Sequence, residues 1–162
     1  MNDPMTILRA DHREVKRLLT AIGDSEEGPE RESMAAELES ALTLHMHIEE
    51  AFVYPAVAEY VGEDDQEEAE IEHGLARDGL SKMLSMVDVP GFGAAAAMLL
   101  GGLEHHVEEE ETEILPELKD KMPRREWLAL GDAIAQAKGD AGQPAAAPKR
   151  RRSQKRKATS KR

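Results

Sequence analysis

The chain carries one pattern of metal-ligand residue types twice. Asp11-His12, His45-x-x-x-Glu49-Glu50 and Tyr54-Pro55 recur as Glu72-His73, His106-x-x-x-Glu110-Glu111 and Leu115-Pro116, always 61 positions later (12 to 73, 45 to 106). Most of the residues between them differ, so the repeat keeps imidazoles and carboxylates rather than a general sequence. Two similar units that each carry half of a polar constellation constrain a fold strongly, because each needs the other to complete the site and to bury its apolar face.

Composition points to helices. The 162 residues include only two Phe, two Tyr and one Trp and are rich in Ala, Glu, Leu and Met, which favours an all-α chain over a sheet. The length suits one domain with a sizeable core. With no cysteine there is neither a disulfide framework nor a thiolate metal site, so imidazole and carboxylate must hold any metal. The N-terminus lacks a basic segment followed by an apolar one. The longest apolar run, residues 91–103, is too short to span a bilayer, so the expectation is a cytoplasmic protein without a membrane partner.

The net charge of -12 is unevenly distributed. Residues 149–162 hold nine Lys and Arg and no acid, leaving 12 bases against all 33 acids in residues 1–148, or -21 there and +9 in the tail. The body repels nucleic acid. The tail offers non-specific contact to its phosphates but no aromatic side chain for base stacking, and an arm that touches the acidic body is the competing reading. From Gly139 onwards little apolar surface remains to offset the entropy of ordering, so the chain divides into a helical domain over 1–138 and a disordered Lys/Arg-rich tail over 139–162.

Hydrophobic spacing places the helices. Asp3-Pro4 makes an N-cap and first turn, and Leu8, Val15, Leu18, Leu19 and Ile22 then recur at helical spacing up to Gly23. A long second helix follows Gly28-Pro29 and ends near Gly62, with Leu38, Ala41, Leu42, Phe52, Val53 and Ala56 inside and a kink at Pro55. The third starts at Asp64-Asp65 and is closed by Pro90-Gly91; the fourth spans about 92–120, with Pro116 matching Pro55. A shorter helix from Pro123 presents Trp127, Leu130, Ile134 and Ala137 as a lid. The expected architecture is an antiparallel four-helix bundle with a short fifth helix.

Residues four apart share a helix face, so His45 points with Glu49 and His106 with Glu110. The apolar stripes turn these pairs inward, and place His12 on the inner face of helix 1 and His73 on that of helix 3. Four imidazoles and two carboxylates in an apolar bundle need compensation, and a metal supplies it; nitrogen and carboxylate donors suit iron or manganese. If Glu49 and Glu110 bridge two metals that each take two His, one position stays open on each for a small oxidant. His47 and His105 fall off the ligand faces. Glu50, Glu108, Glu109 and Glu111 read as a solvated acidic face, Tyr54 as a boundary residue, and the Met residues as core gap-fillers.

This His, His-x-x-x-Glu, His, His-x-x-x-Glu series, with Pro after each Glu pair, resembles the hemerythrin-like, or HHE cation-binding, family over residues 4–120. The resemblance implies a four-helix bundle holding two non-haem, carboxylate-bridged iron ions on His12, His45, Glu49, His73, His106 and Glu110. It also implies roles in oxygen binding or sensing, iron handling, or catalase-like or nitric-oxide- or peroxide-reducing chemistry. The oxygen-carrying hemerythrins supply a second imidazole four residues after the third-helix His, where this chain has Arg77, which argues against reversible oxygen carriage. They also place an acid five residues after the last His. Glu111 has that spacing here, but the repeat favours Glu110, the counterpart of Glu49. The expectations are therefore a protein that reacts with or senses dioxygen, hydrogen peroxide or nitric oxide, with metal binding or iron storage without turnover, or a tail-tethered binding module, as the alternatives.

Overall fold

A computed structural model describes residues 2–142, whose regular elements are all helices, with no strand among the described residues. The helices are α1 (Pro4–Gly23), α2 (Pro29–Ile48), α3 (Tyr54–Tyr60), α4 (Glu63–Leu84), α5 (Phe92–Glu109), α6 (Leu115–Lys121) and α7 (Arg124–Asp140). Two π-helical turns, Glu49–Val53 and Glu110–Ile114, join α2 to α3 and α5 to α6. The expected tail lies outside the described residues from 143 onward, and α7 runs two residues past the expected boundary at 138.

Local chemistry sets these boundaries. Asp3 caps α1 by accepting the Thr6 backbone N–H at 3.0 Å, with Pro4 in the first turn. Helix α4 stops at Leu84, six residues short of the expected Pro90, and the chain turns through Ser85–Pro90. Gly91, at a φ of 98°, then caps α5 in the left-handed region that only glycine enters cheaply.

The prolines act one step earlier than expected. Pro55 and Pro116 lack an N–H and crowd the carbonyl four residues back, so the preceding Tyr54 and Leu115 reach back five residues to the carbonyls of Glu49 and Glu110. Each π turn inserts one residue, which rotates the downstream face by roughly 100°. The inward set after Glu49 thus becomes Val53, Tyr54 and Val57, all at most 1 % exposed, while Phe52 is only half-buried.

Helix α1 packs against α2 and α5, α5 against α4, and α4 against α3, so the long rods close into a helical bundle. Its apolar interior falls into two clusters. One contains Leu18, Leu19, Leu38, Leu42, Met83 and Phe92. The other contains Leu8, Ile48, Val53, Leu115, Leu118 and the α7 residues Trp127, Leu130 and Ile134. Each fully buried aliphatic side chain contributes about 1.5–3 kcal/mol, and these clusters hold the polar layer between them in register. Helix α7 seals the second cluster as a lid. An added Cβ at Gly131 would lie 1.8 Å from the Asn2 carbonyl oxygen, so a glycine is needed where α7 meets the start of α1.

Candidate metal centre

Six side chains meet in the layer between the apolar clusters. Helix α1 supplies His12, α2 His45, α4 His73 and α5 His106, and the first residue of each π turn supplies Glu49 or Glu110. All six are between 0 and 5 % exposed. Glu49 Oε1 lies 3.6 Å from His12 Nε2, while Oε2 lies 3.1 Å from His45 Nε2 and 3.2 Å from His73 Nε2. Glu110 Oε2 lies 3.4 Å from His12 Nε2 and 3.8 Å from His106 Nε2. Both carboxylates therefore stand between an imidazole of the first repeat and one of the second. Ligand atoms of His12, His45 and Glu49 lie within 4.8 Å of one another, as do those of Glu49, His73 and His106.

The donor set fits a cation. Both oxygens of Glu49, both of Glu110 and Nε2 of His12 are buried without a hydrogen-bond partner. A buried carboxylate with no partner costs several kcal/mol, and ligation to a positive ion removes that cost. Imidazole nitrogens and carboxylate oxygens are the donors that iron or manganese accept.

A second ring of carboxylates stands behind the imidazoles, and it follows the repeat. The far nitrogens of His12, His73 and His106 donate to Glu111 at 2.8 Å, Glu50 at 3.0 Å and Glu72 at 2.7 Å. Asp11 Oδ2 stands 3.7 Å from His45 Nδ1. Glu50 and Glu111 correspond under the 61-residue shift, as do Asp11 and Glu72. Such acids fix the tautomer and orientation of a ligating ring and raise its basicity. Glu50 and Glu111 are thus half-buried partners of the site rather than members of a solvated face, whereas His47 and His105 are exposed as expected. Three of these acids also meet a cation, Arg9 on Glu111, Arg77 on Glu50 and Lys138 on Asp11, while Glu72 meets the ring of His105. The signal for this ring was present in the repeat, which keeps an acid before the first His and another after the Glu.

Tyr54 also belongs to the site. The π turn rotates it inward to 1 % exposure, and its hydroxyl hydrogen-bonds His73 Nε2 at 2.8 Å, with His106 Nε2 3.2 Å from the same nitrogen. Its counterpart, Leu115, is buried in the second apolar cluster. No helical periodicity could expose this, because the inserted residue breaks the period at that point.

Electrostatics follow from the burial. For Glu49, burial opposes ionisation, but the charge of His45 and the close approach of His12 and His73 outweigh it and hold the carboxyl well below its usual range. For His12, burial opposes protonation, yet the Glu110 and Glu49 carboxylates beside its Nε2 push it up to about 11. Tyr54 is raised above the usual phenol value by burial and then by the charges of Glu49 and Glu110, so its hydroxyl keeps its proton.

A cavity of about 450 Å³ opens between α1 and α5 and reaches His12, His45 and His106. Val15, Leu19, Leu42 and Leu103 make its walls apolar, and Lys16 pairs with Glu104 beside it. Glu108, Glu111 and Thr112 complete the lining, so the cavity joins an apolar wall to a polar one beside the imidazoles.

A helical bundle that seals paired His and Glu from two half-repeats into one buried polar layer defines a cation-binding helical protein. The chain belongs to the hemerythrin HHE cation binding domain family, whose profile matches residues 3–118. It is 27 % identical to a hemerythrin HHE cation binding domain-containing protein of Mycobacterium kansasii, whose crystal structure superposes with a TM-score of 0.76 over 88 % of this chain and 89 % of that one. It is also 33 % identical over 101 residues to a hemerythrin-like protein of Schizosaccharomyces pombe, covering 60 % of this chain and 50 % of that relative, so the chain spans about half of that relative's length. No helix among the described residues is long and apolar enough to cross a membrane.

Proposed function

We propose that the protein holds two non-haem iron ions in an antiparallel four-helix bundle and reacts with, or senses, a small oxidant there. His12 and His45 would hold one ion and His73 and His106 the other, with Glu49 and Glu110 as the carboxylate donors between them. The observation that carries this reading is the buried set of four carboxylate oxygens of Glu49 and Glu110 and the Nε2 of His12 without hydrogen-bond partners, with a carboxylate on the far nitrogen of three of the four imidazoles. Two iron ions bound there would supply redox electrons and open coordination positions to dioxygen, hydrogen peroxide or nitric oxide.

The chain's own residues shape what happens at such a site. Three acids hold the far nitrogens of their imidazoles and so turn Nε2 towards the centre, and Val15, Leu19, Leu42 and Leu103 line the cavity that leads to it. Tyr54 presents a protonated hydroxyl beside His73, a hydrogen-bond donor for an oxygen atom arriving on that side. Arg77, at the position where oxygen carriers supply another imidazole, turns instead to Glu50. That leaves ligand positions to the oxidant and supports turnover or sensing rather than carriage.

Iron-loaded protein given hydrogen peroxide and followed with an oxygen electrode tests the reading: oxygen release marks catalase-like turnover. Iron that stays bound without oxygen release or spectral change under peroxide, dioxygen and nitric oxide would leave storage as the function.

A further inference from the structure

His45 is held differently from the other three imidazoles. Its Nδ1 and Asp11 Oδ2 stand 3.7 Å apart, beyond a hydrogen bond, and both atoms are buried without a partner. The other oxygen of Asp11 lies 2.6 Å from the ammonium of Lys138, which reaches in from α7 and is only 3 % exposed. Nothing in the proposed chemistry uses a buried lysine, and burying one is costly without a specific partner. Lys138 also lies beyond the repeat, so the corresponding acid, Glu72, has no buried lysine. Glu72 meets the exposed His105 at 3.4 Å and keeps a 2.7 Å bond to His106.

We propose that Lys138 is a positioning residue that makes the two half-sites unequal: it draws Asp11 away from His45, so the His12/His45 half-site holds its metal more weakly than the His73/His106 half-site. Two effects have this sign. A ligating imidazole without its carboxylate is less basic and less firmly oriented. An acid neutralised by an ammonium also gives less electrostatic support to a cation than a free one does. The lid helix therefore sets the order in which the centre fills.

This inference rests on the two-metal reading, and cobalt(II) titration of the metal-free full chain, followed by absorption and calorimetry, separates the two. The wild type should bind two equivalents in distinct steps at least about tenfold apart, and His45→Ala should remove the weaker one. Lys138→Met should tighten the weaker step about tenfold and leave the other unchanged, while Lys138→Arg should keep the wild-type inequality. Because Lys138 acts through Asp11, the tightening should vanish in an Asp11→Asn background; tightening that persists there would mean a direct charge effect and overturn the positioning role. Glu72→Gln should weaken the tighter step about 10–100-fold. Two equal steps in the wild type, or a Lys138→Met protein that folds by circular dichroism with the weaker step unchanged or looser, would overturn the inequality alone. Fewer than two equivalents in the wild type would overturn the two-metal reading as well.

Discussion

The two halves of the centre share their donors and differ in what stands behind them. His12 and His45 correspond to His73 and His106, Glu49 to Glu110, and the backing acids Asp11 and Glu50 to Glu72 and Glu111. Beyond these the correspondence ends. Tyr54 touches His73 where Leu115 packs into an apolar cluster, and a buried lysine holds Asp11 where an exposed imidazole meets Glu72. The repeat is thus kept where a cation needs donors and broken where the reactivity and affinity of each half are set. A symmetric centre would bind two metals alike, whereas this one has a hydroxyl at one half and a lysine-held acid at the other.

Removing a shared group should have the largest effect. Glu49→Ala or Glu110→Ala takes a donor from both halves and should reduce bound iron from about two equivalents to below one. His45→Ala or His106→Ala touches one half and should cost about one equivalent. Metal analysis beside circular dichroism checks both, since the apolar clusters should keep the helices folded. If the Glu variants lose no more metal than the His variants, the carboxylates do not serve both halves.

Protons should sharpen the contrast between metal-free and loaded protein. His12, pushed up to about 11, carries a proton at neutral pH that a metal must displace, so affinity should rise about tenfold per pH unit across that range. In the metal-free chain the same shift stabilises the fold fully below the ordinary value of 6.5, and this contribution is lost as pH rises through about 11. The melting temperature of metal-free protein should accordingly lose this term from pH 6.5 upward, while that of loaded protein does not. Parallel melting curves for the two forms would contradict the assignment.

The smallest effect should come from Tyr54→Phe, which removes the one hydroxyl that distinguishes the halves. It should cost about 1 kcal/mol of stability and shift the absorption of metal bound beside His73. An unchanged spectrum would mean that the hydroxyl does not reach the metal's surroundings.

Much of this centre was legible in the sequence. The helical period turned His12, His45, Glu49, His73, His106 and Glu110 inward, and they do converge. Tyr54 was missed for a specific reason: Pro55 forces a π turn, the inserted residue rotates the following face, and a regular period then reads Phe52 as inside and Tyr54 as boundary. Glu50 and Glu111 were misread as solvent-facing because an acid beside a ligand looks like part of an acidic surface until the opposing helix is in place. Lys138 could not have been found, since only the tertiary packing of α7 across α1 brings it to Asp11, on the far side of the chain's order.

The most direct test of the account is the metal content of iron-reconstituted protein read with its absorption spectrum. Two tightly bound irons per chain, about one for each His pair, with oxo- or carboxylate-bridged ferric absorption, is the predicted result. One tightly bound iron or fewer in fully folded protein would contradict it.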